Sequence, residues 1–101
     1  MIDIVRSETF RKWAARLRDH RAQAHIAERL LRLSLGNPGD TAPVGDGIHE
    51  MRIHFGPGYR LYYCHHGQTL VILLCGGDKS TQRRDIQRTK WLAREWRNDH
   101  A

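Results

Sequence analysis

Polar and ionisable side chains recur at every second position across two strand-like segments in the middle of the chain. The first segment carries Glu50, Arg52 and His54, and the second carries Arg60 and Tyr62. Because successive strand residues point to opposite faces of a sheet, each set lies on one face of its strand. A carboxylate, an imidazole, a phenol and two guanidinium groups on one face could together move a proton and hold an anion.

The turn at residues 56–58 joins the two segments and sets their register. We expect a three-residue loop, which places His54 opposite Arg60 and Arg52 opposite Tyr62. This register keeps the apolar side chains together on the other face, whereas loops of two or four residues would mix charged and apolar side chains. The expected result is an open, concave, positively charged face.

A buried strand is expected to deliver further groups to the edge of that face. Residues 70–75 are all apolar and predict a strand buried on both sides, which Gly76 and Gly77 then end with a sharp turn. Lys79 follows, at the start of a helix whose free N–H groups favour a phosphate. An ordinary strand–turn–helix junction with a solvated lysine explains the same pattern equally well.

RNA cleavage needs a group that takes the proton of the 2′-hydroxyl, cations on the phosphate, and a proton donor for the leaving oxygen. The sequence predicts catalytic roles for Glu50, Arg52, His54, Arg60 and Lys79, and RNA contacts for Tyr62, Gln82, Arg83 and Arg84. Solvated arginines paired across strands with a carboxylate, and a tyrosine used only for packing, are the alternatives. No cluster has metal-ligand spacing, so we expect neither a metal nor a cofactor.

The overall composition favours an anionic partner. The chain has 101 residues, enough for a single domain spanning residues 1–101, with a net charge of +6 and an isoelectric point near 10.0. Only three of its 17 basic residues are lysines, and arginine is well suited to phosphate. A basic protein from a GC-rich genome is the alternative. Two cysteines, no leader-like segment and no transmembrane-length apolar run predict a cytoplasmic protein without a membrane partner.

Hydrophobic periodicity predicts an α+β fold. Apolar residues at helical spacing indicate two helices that form a hairpin against a small, mainly antiparallel sheet, and a third helix follows the last strand. The expected order is β-α-α-β-β-β-α, with strands over residues 2–6, 48–55, 59–64 and 69–75, helices over residues 7–18, 20–35 and 80–97, and an irregular loop over residues 36–47.

Four local strings resemble one known protein family. They are RLSLGNPGD at residues 32–40, EMRI at 50–53, GPGYRLYY at 56–63 and LLCGGDKSTQ at 73–82. Together with the order of elements, they resemble the RelE/ParE toxin superfamily of bacterial toxin–antitoxin modules, and within it the HigB-like "addiction module killer protein" branch. The last string is the most specific of the four.

This resemblance implies a toxin that a cognate antitoxin holds inactive. RelE-like members cleave mRNA in the decoding site of the ribosome without a metal and leave a cyclic phosphate. By resemblance, Arg52 and Arg60 match the cations on the middle strands, and Lys79 matches the cation after the last strand. Some relatives use a C-terminal His or Tyr as acid or base, but this chain offers only His100 there. His54, Glu50 and Tyr62 are therefore substitutes inferred from position.

Two other functions fit the same fold. ParE-like relatives share it but inhibit DNA gyrase and cleave nothing, and fold alone does not separate the two activities. A non-catalytic nucleic-acid-binding module that uses the basic last helix is the third possibility. The arginine-rich strand face favours the ribonuclease, which would act with the ribosome and mRNA as partners.

Overall fold

The computed structural model describes residues 1–100, and Ala101, the last residue of the expected domain, lies outside the described residues. The fold is mixed α+β, with three α-helices and a five-stranded sheet within these residues. The elements are β1 (Asp3–Arg6), α1 (Glu8–Ala15), α2 (His20–Ser34), β2 (Thr41–Gly45), β3 (Ile48–Ile53), β4 (Tyr59–His66), β5 (Leu70–Asp78), a 3-10 turn (Lys79–Thr81) and α3 (Gln82–Asp99).

The sheet has the strand order β1-β5-β4-β3-β2. β1 runs parallel to β5, and the other neighbouring strands are antiparallel. The expectation of four strands is wrong, because β2 lies within the segment 36–47 that was expected to be an irregular loop. It pairs with β3 at the edge of the sheet, where Pro43 is tolerated because an edge strand need not donate every hydrogen bond.

The helix hairpin packs on one face of the sheet, as the periodicity predicted. Ser7 and Asp19 cap the starts of α1 and α2 by accepting hydrogen bonds from backbone N–H groups of the first turn. The core on this face includes Phe10 of α1 and a stripe on α2 formed by Ala22, Ile26, Leu30 and Leu33. These residues meet the odd-numbered apolar side chains of β3 and β4.

α3 covers the opposite face, and this arrangement corrects the expectation of an open polar surface. Its inward residues Ile86, Ala93 and Trp96 pack with side chains of β4 and β5. All residues from Tyr59 to Cys64 are buried, so β4 is enclosed on both sides. Most of the polar face of the meander therefore lies beneath a helix rather than in solvent.

The loop between β3 and β4 is two residues longer than expected. Ile53 pairs with Tyr59 and Arg52 pairs with Arg60, so five residues separate the strands and the expected His54–Arg60 pair is wrong. Phe55 leaves the strand to pack against the His25 ring, with 4.4 Å between the ring centroids. The register shift is an even number of residues, so the expected faces of the strands are kept.

β5 continues through the two glycines that were expected to end it. The strand extends to Asp78, and neither Gly76 nor Gly77 has a positive φ. Glycine is required at both positions because neighbouring side chains leave no room for a Cβ atom. A Cβ at Gly76 would overlap the Trp13 ring, and a Cβ at Gly77 would overlap the Asp85 carboxylate.

Both cysteines, Cys64 and Cys75, are free thiols in the interior. Burial raises the pKa of Cys64 and of Cys75 above the ordinary thiol value. Across residues 1–100, no helix is both long enough and apolar enough to cross a bilayer.

Candidate functional site

The polar residues of β3 and β4 come together around one buried carboxylate. Glu50 is 0% exposed and lies opposite Tyr62, two positions along the strand from the Arg52–Arg60 pair. Its Oε2 accepts a 2.7 Å hydrogen bond from Gln82 Nε2, and its Oε1 accepts a 3.1 Å hydrogen bond from Arg52 Nε. The Gln82 contact ties the first turn of α3 to β3, so the carboxylate also fixes how the helix starts.

Arg60 lies on the inner side of this cluster. Only 8% of the residue is exposed, and its Nε is 3.9 Å from Glu50 Oε1. Its Nη1 donates to the backbone carbonyls of Gly58 and Tyr59 at 3.2 and 3.3 Å. An unpaired guanidinium at this depth would be costly, so Glu50 is the charge that lets Arg60 be buried.

Tyr62 is enclosed completely, and its hydroxyl group has no hydrogen-bond partner among residues 1–100. Burial, followed by the nearby Glu50 carboxylate, raises the pKa of Tyr62 far above its ordinary value. A base cannot stack on a ring that is 0% exposed, so the expected RNA contact of Tyr62 does not fit this structure. Packing, the alternative given by the sequence, fits it.

His54 and Arg52 share a second carboxylate, which sequence reasoning missed. His54 Nε2 is 2.5 Å from Asp40 Oδ2, and Arg52 Nη1 is 3.9 Å from Asp40 Oδ1. The hydrogen bond with His54 is the main reason that the pKa of Asp40 lies below its ordinary value, and the charges of His54, Arg52 and Arg29 also lower it. An ionised carboxylate only accepts hydrogen bonds, so His54 Nε2 is the protonated donor in this pair. In the neutral imidazole the other ring nitrogen, Nδ1, then carries no proton.

Hydrogen bonds to the backbone hold Asp40 in place, and no local sequence motif predicts them. Arg52 N donates to Asp40 O at 3.0 Å. Arg29 of α2 donates to the carbonyls of Arg52, Pro38 and Asp40 at 2.5, 3.1 and 3.2 Å. The sequence signals for Asp40 were the unusual length of the segment between α2 and β3 and its place in the string at residues 32–40. The contact between Asp40 and His54 depends on this segment forming the edge strand of the sheet, which the sequence did not predict.

Lys79 lies on the exposed rim beside Arg60. It begins the 3-10 turn, which Asp78 caps by accepting a 2.8 Å hydrogen bond from Ser80 N. The Lys79 Cβ and the Arg60 Nη1 each lie 3.5 Å from the position that a Cβ would occupy at Gly58, so the two cations flank the same glycine. Lys79 makes no ion pair with any residue of the range 1–100.

Three predicted RNA contacts on the last helix point in different directions. Gln82 faces inward to Glu50. Arg83 is exposed and borders a shallow depression with Ile86 and Lys90. Arg84 faces a different cleft, between α1 and α3, with its Nε 3.9 Å from Asp85 Oδ1. The structure therefore does not bring Arg83 and Arg84 into the cluster around Glu50.

The site is thus a linked row of charges with a buried end and an exposed end. His54, Asp40, Arg52, Glu50 and Arg60 are connected in that order by contacts of 3.9 Å or less. His54 is 71% exposed at its side chain and Arg52 is 38% exposed, whereas Glu50 and Arg60 are buried. Such a row can accept a proton at an imidazole and place cations on a phosphate, which are two of the requirements of phosphodiester cleavage.

Comparisons with known proteins identify relatives over nearly the same region. The pattern of the family described as "Phage derived protein Gp49-like (DUF891)" matches residues 14–96. The chain is also similar to a protein of Haemophilus influenzae (strain ATCC 51907 / DSM 11121 / KW20 / Rd) described as an "Uncharacterized protein". The two are 51% identical over 94 residues, which cover 93% of this chain and 95% of the relative. The matched region contains every residue of the row described above.

Proposed function

Since the chain belongs to the Gp49-like family of phage-derived proteins, within the RelE-like group of addiction-module killer proteins, we propose that it is the toxin of a type II toxin–antitoxin system. Its proposed activity is metal-independent cleavage of mRNA bound in the ribosome, as in the HigB-like branch. The cognate antitoxin, the ribosome and mRNA are its proposed partners.

The observation that carries this proposal is the linked row of charges, extended by Lys79 at its rim. The half-buried Arg52 and the exposed Lys79 offer cations close to the buried Arg60, so a phosphodiester group could be held at this rim. Cations fixed by carboxylates such as Glu50 need little reorganisation when the phosphate gains charge, which is the main source of electrostatic catalysis.

His54 is the proposed general base. Its Nδ1 takes the proton of the ribose 2′-hydroxyl while Asp40 holds the ring through Nε2 and stabilises the imidazolium. The 2′ oxygen forms a bond to phosphorus and the bond to the 5′ oxygen of the next nucleotide breaks. The products are a 2′,3′-cyclic phosphate and a 5′ oxygen that takes a proton from solvent. Glu50 acts as a positioning residue for Arg52 and Arg60, and Tyr62 packs beneath them.

Lys79→Ala is the substitution that tests the site most cleanly, because Lys79 is exposed and its side chain holds no other residue in place. The variant and the unmodified chain are each expressed in a bacterial host without an antitoxin, and new 5′ ends in cellular mRNA are mapped. We expect the unmodified chain to arrest growth and to produce cuts within translated frames. We expect Lys79→Ala to produce fewer cuts by about a hundredfold, because a cation on the transferring phosphate is lost.

Arg11→Ala is the matched control, because Arg11 is an exposed cation of α1 outside the row. It should cut mRNA as the unmodified chain does, and the circular dichroism spectra of all three proteins should agree. Full toxicity of Lys79→Ala would show that the site is wrong. Arg60→Ala is a weaker test because it leaves the Glu50 carboxylate buried beside a void and is expected to damage the fold.

A non-catalytic function is favoured by one observation, namely that α3 covers most of the polar strand face. A gyrase inhibitor of the ParE type would arrest growth with a DNA-damage response and supercoiling defects but without new mRNA ends. A basic nucleic-acid-binding module would bind bare duplex DNA with an affinity that falls steeply as salt is raised. The same mapping experiment separates both outcomes from cleavage.

A further inference from the structure

The pair formed by Asp40 and His54 is exposed, so its geometry depends on how the surrounding backbone is held. The side chains of His54 and Asp40 are 71% and 44% exposed. Exposed pairs of this kind are weak, because water screens them and both side chains have other rotamers available. Residues 35–40 also lie outside every helix and strand, between the end of α2 and the start of β2. A contact outside the pair is therefore needed to keep Asp40 beside the imidazole.

Arg29 of α2 makes that contact with the backbone on both sides of the pair. It is half-buried, and its Nη2 donates to the carbonyls of Pro38 and Asp40 at 3.1 and 3.2 Å. Its Nη1 donates to the carbonyl of Arg52, two residues before His54, at 2.5 Å. The Asp40 carbonyl also accepts a 3.0 Å hydrogen bond from Arg52 N. One planar group thus binds both the segment that carries Asp40 and the strand that leads to His54.

The backbone of Gly39 passes directly against this guanidinium group. A Cβ at Gly39 would lie 2.9 Å from Arg29 Nη2 and 3.1 Å from Arg29 Nε. Gly39 also has a φ of +69°, which residues with a side chain rarely adopt. On the other side of the turn, Gly39 N donates to Asn37 Oδ1 at 3.2 Å. The conformation of this segment therefore fits the shape of the Arg29 side chain closely.

The chain after His54 is anchored to the same helix. His25 lies one turn before Arg29 on α2, and residues four apart on a helix share one face. The ring centroid of His25 is 4.4 Å from that of Phe55, the residue that follows His54. α2 therefore contacts the chain both before and after His54, and Arg29 makes the contact that also reaches Asp40.

We propose that Arg29 is a positioning residue for the general base, because its guanidinium group holds the Asp40 carboxylate in place against the His54 imidazole. This inference rests on the proposed cleavage reaction and adds to it a residue outside the row of charges. The three carbonyl contacts carry the effect, and the positive charge alone does not. Lysine is therefore an inadequate replacement, because its single ammonium group does not span both segments.

The rate test compares Arg29→Lys and Arg29→Gln with the unmodified chain. Each protein is added in excess to ribosomes that carry an mRNA, and the single-turnover rate of cutting is measured. We expect both variants to cut more slowly by about tenfold or more, because a small displacement of a catalytic group is costly. Arg29→Lys retains the charge, so its affinity for ribosomes with a 2′-deoxyribonucleotide at the cut position should stay within about twofold.

Arg32→Gln is the matched control, because Arg32 lies on the same helix and pairs with Glu28 of that helix at 2.7 Å. It should cut within about twofold of the unmodified rate, since exposed pairs contribute little. Gly39→Ala reaches the same defect by a second route, because the added Cβ overlaps the guanidinium group while Arg29 itself is retained. It should slow cutting as the Arg29 variants do. Circular dichroism checks that all the variants are folded.

The His54 ring gives a second readout that does not need cleavage. The NMR shifts of its two nitrogens report which of them carries the proton in the neutral imidazole. At about pH 8.5, where an ordinary histidine is neutral, we expect the Nε2–H form in the unmodified chain and in Arg32→Gln. In both Arg29 variants the shifts should move towards the mixture of a free imidazole, because Asp40 no longer stays beside Nε2.

The two readouts separate failure of this inference from failure of the proposed function. An unmodified chain that cuts no mRNA would overturn the proposed function, and the His54 shifts would then still decide whether Arg29 positions the pair. The inference is overturned if Arg29→Lys matches the unmodified chain in both cutting rate and His54 shifts. It is likewise overturned if Arg32→Gln changes them as much as Arg29→Gln does.

Discussion

Glu50 is the residue on which the geometry of the site depends most. Its carboxylate is completely buried and is shared by Arg52, Arg60 and Gln82, which come from two strands and a helix. The sequence predicted that Glu50 would lie near the two arginines, because alternation places all three on one face. It could not predict burial, because that depends on the path of α3 across the sheet. Asp40 was missed for a similar reason, since its contact with His54 joins positions 14 residues apart.

Removing the Glu50 carboxylate is expected to destabilise the fold strongly. Glu50→Ala leaves the buried Arg60 guanidinium without a counter-charge and should lower the free energy of unfolding by about 3 kcal/mol or more. Urea denaturation measures this loss. Glu28→Ala, which breaks an exposed ion pair with Arg32 on α2, should cost less than about 0.5 kcal/mol. Equal costs for the two substitutions would mean that Glu50 does not hold the arginines.

His49 gives stability a dependence on pH. Its ring stacks on Tyr63 with 5.3 Å between centroids, and burial, followed by the charge of His65, lowers the pKa of His49 below its ordinary value of 6.5. The unfolded chain therefore takes up a proton at His49 at a higher pH than the folded chain does. This contribution to stability is complete above pH 6.5 and decreases as the pH falls through that value towards the lower folded pKa.

His49→Gln should remove this part of the pH dependence. We expect the loss of unfolding free energy between about pH 7.5 and about pH 5.5 to be smaller in the variant than in the unmodified chain. Urea titrations at the two values measure it. The comparison is a difference between proteins, so histidines that do not contact His49 contribute equally to both. An unchanged or steeper pH dependence in the variant would contradict the assigned direction.

Among the elements of the fold, β5 contacts both the row of charges and the second cleft, which lies between α1 and α3. One edge of it supports β4 and the row of charges, and the other forms the floor of the second cleft. The sequence predicted the strand and its burial, but it assigned the wrong role to Gly76 and Gly77. Glycine signals either a turn or a close approach, and only the positions of Trp13 and Asp85 decide between them.

Gly77→Ala tests the role of close approach. The added Cβ would overlap the Asp85 carboxylate and would lie 2.9 Å from Thr81 Oγ1, so we expect a loss of about 1–3 kcal/mol of unfolding free energy. The double variant Gly77→Ala/Asp85→Ala removes the overlap with the carboxylate and leaves only the close contact with Thr81 Oγ1. Its cost should therefore be smaller than the sum of the two single costs, and denaturant unfolding of all four proteins measures the difference. Additive costs would contradict the packing explanation.

The remaining differences between expectation and structure also arise from elements that meet across the fold. β2 has little apolar content and a proline, so its own sequence does not predict a strand, and it exists because β3 offers an edge to pair with. The loop before β4 is two residues longer than predicted because Phe55 packs on α2 instead of pairing in the sheet. Long periodic segments such as α2 and α3 depend on their own pattern and were predicted well.

At the scale of the whole molecule, a basic protein carries two separate surfaces at opposite edges of β5. The row from His54 to Arg60, with Lys79 at its rim, is the proposed site of RNA cleavage, and a second cleft lies between α1 and α3. The net charge of +6 is consistent with an anionic partner. The sequence predicted the charge and the resemblance to toxins, but not that α3 separates the two surfaces.

Cleavage of a defined message tests the central claim most directly. The purified protein is added to bacterial ribosomes that carry an mRNA of known sequence, and a second mRNA differs only by a 2′-deoxyribonucleotide at the cut position. We predict a cut in the first message that leaves a 2′,3′-cyclic phosphate and a 5′-hydroxyl, and no cut in the second, because the attacking oxygen is missing. Equal cutting of both messages, or an intact first message in the presence of folded protein, would contradict the account.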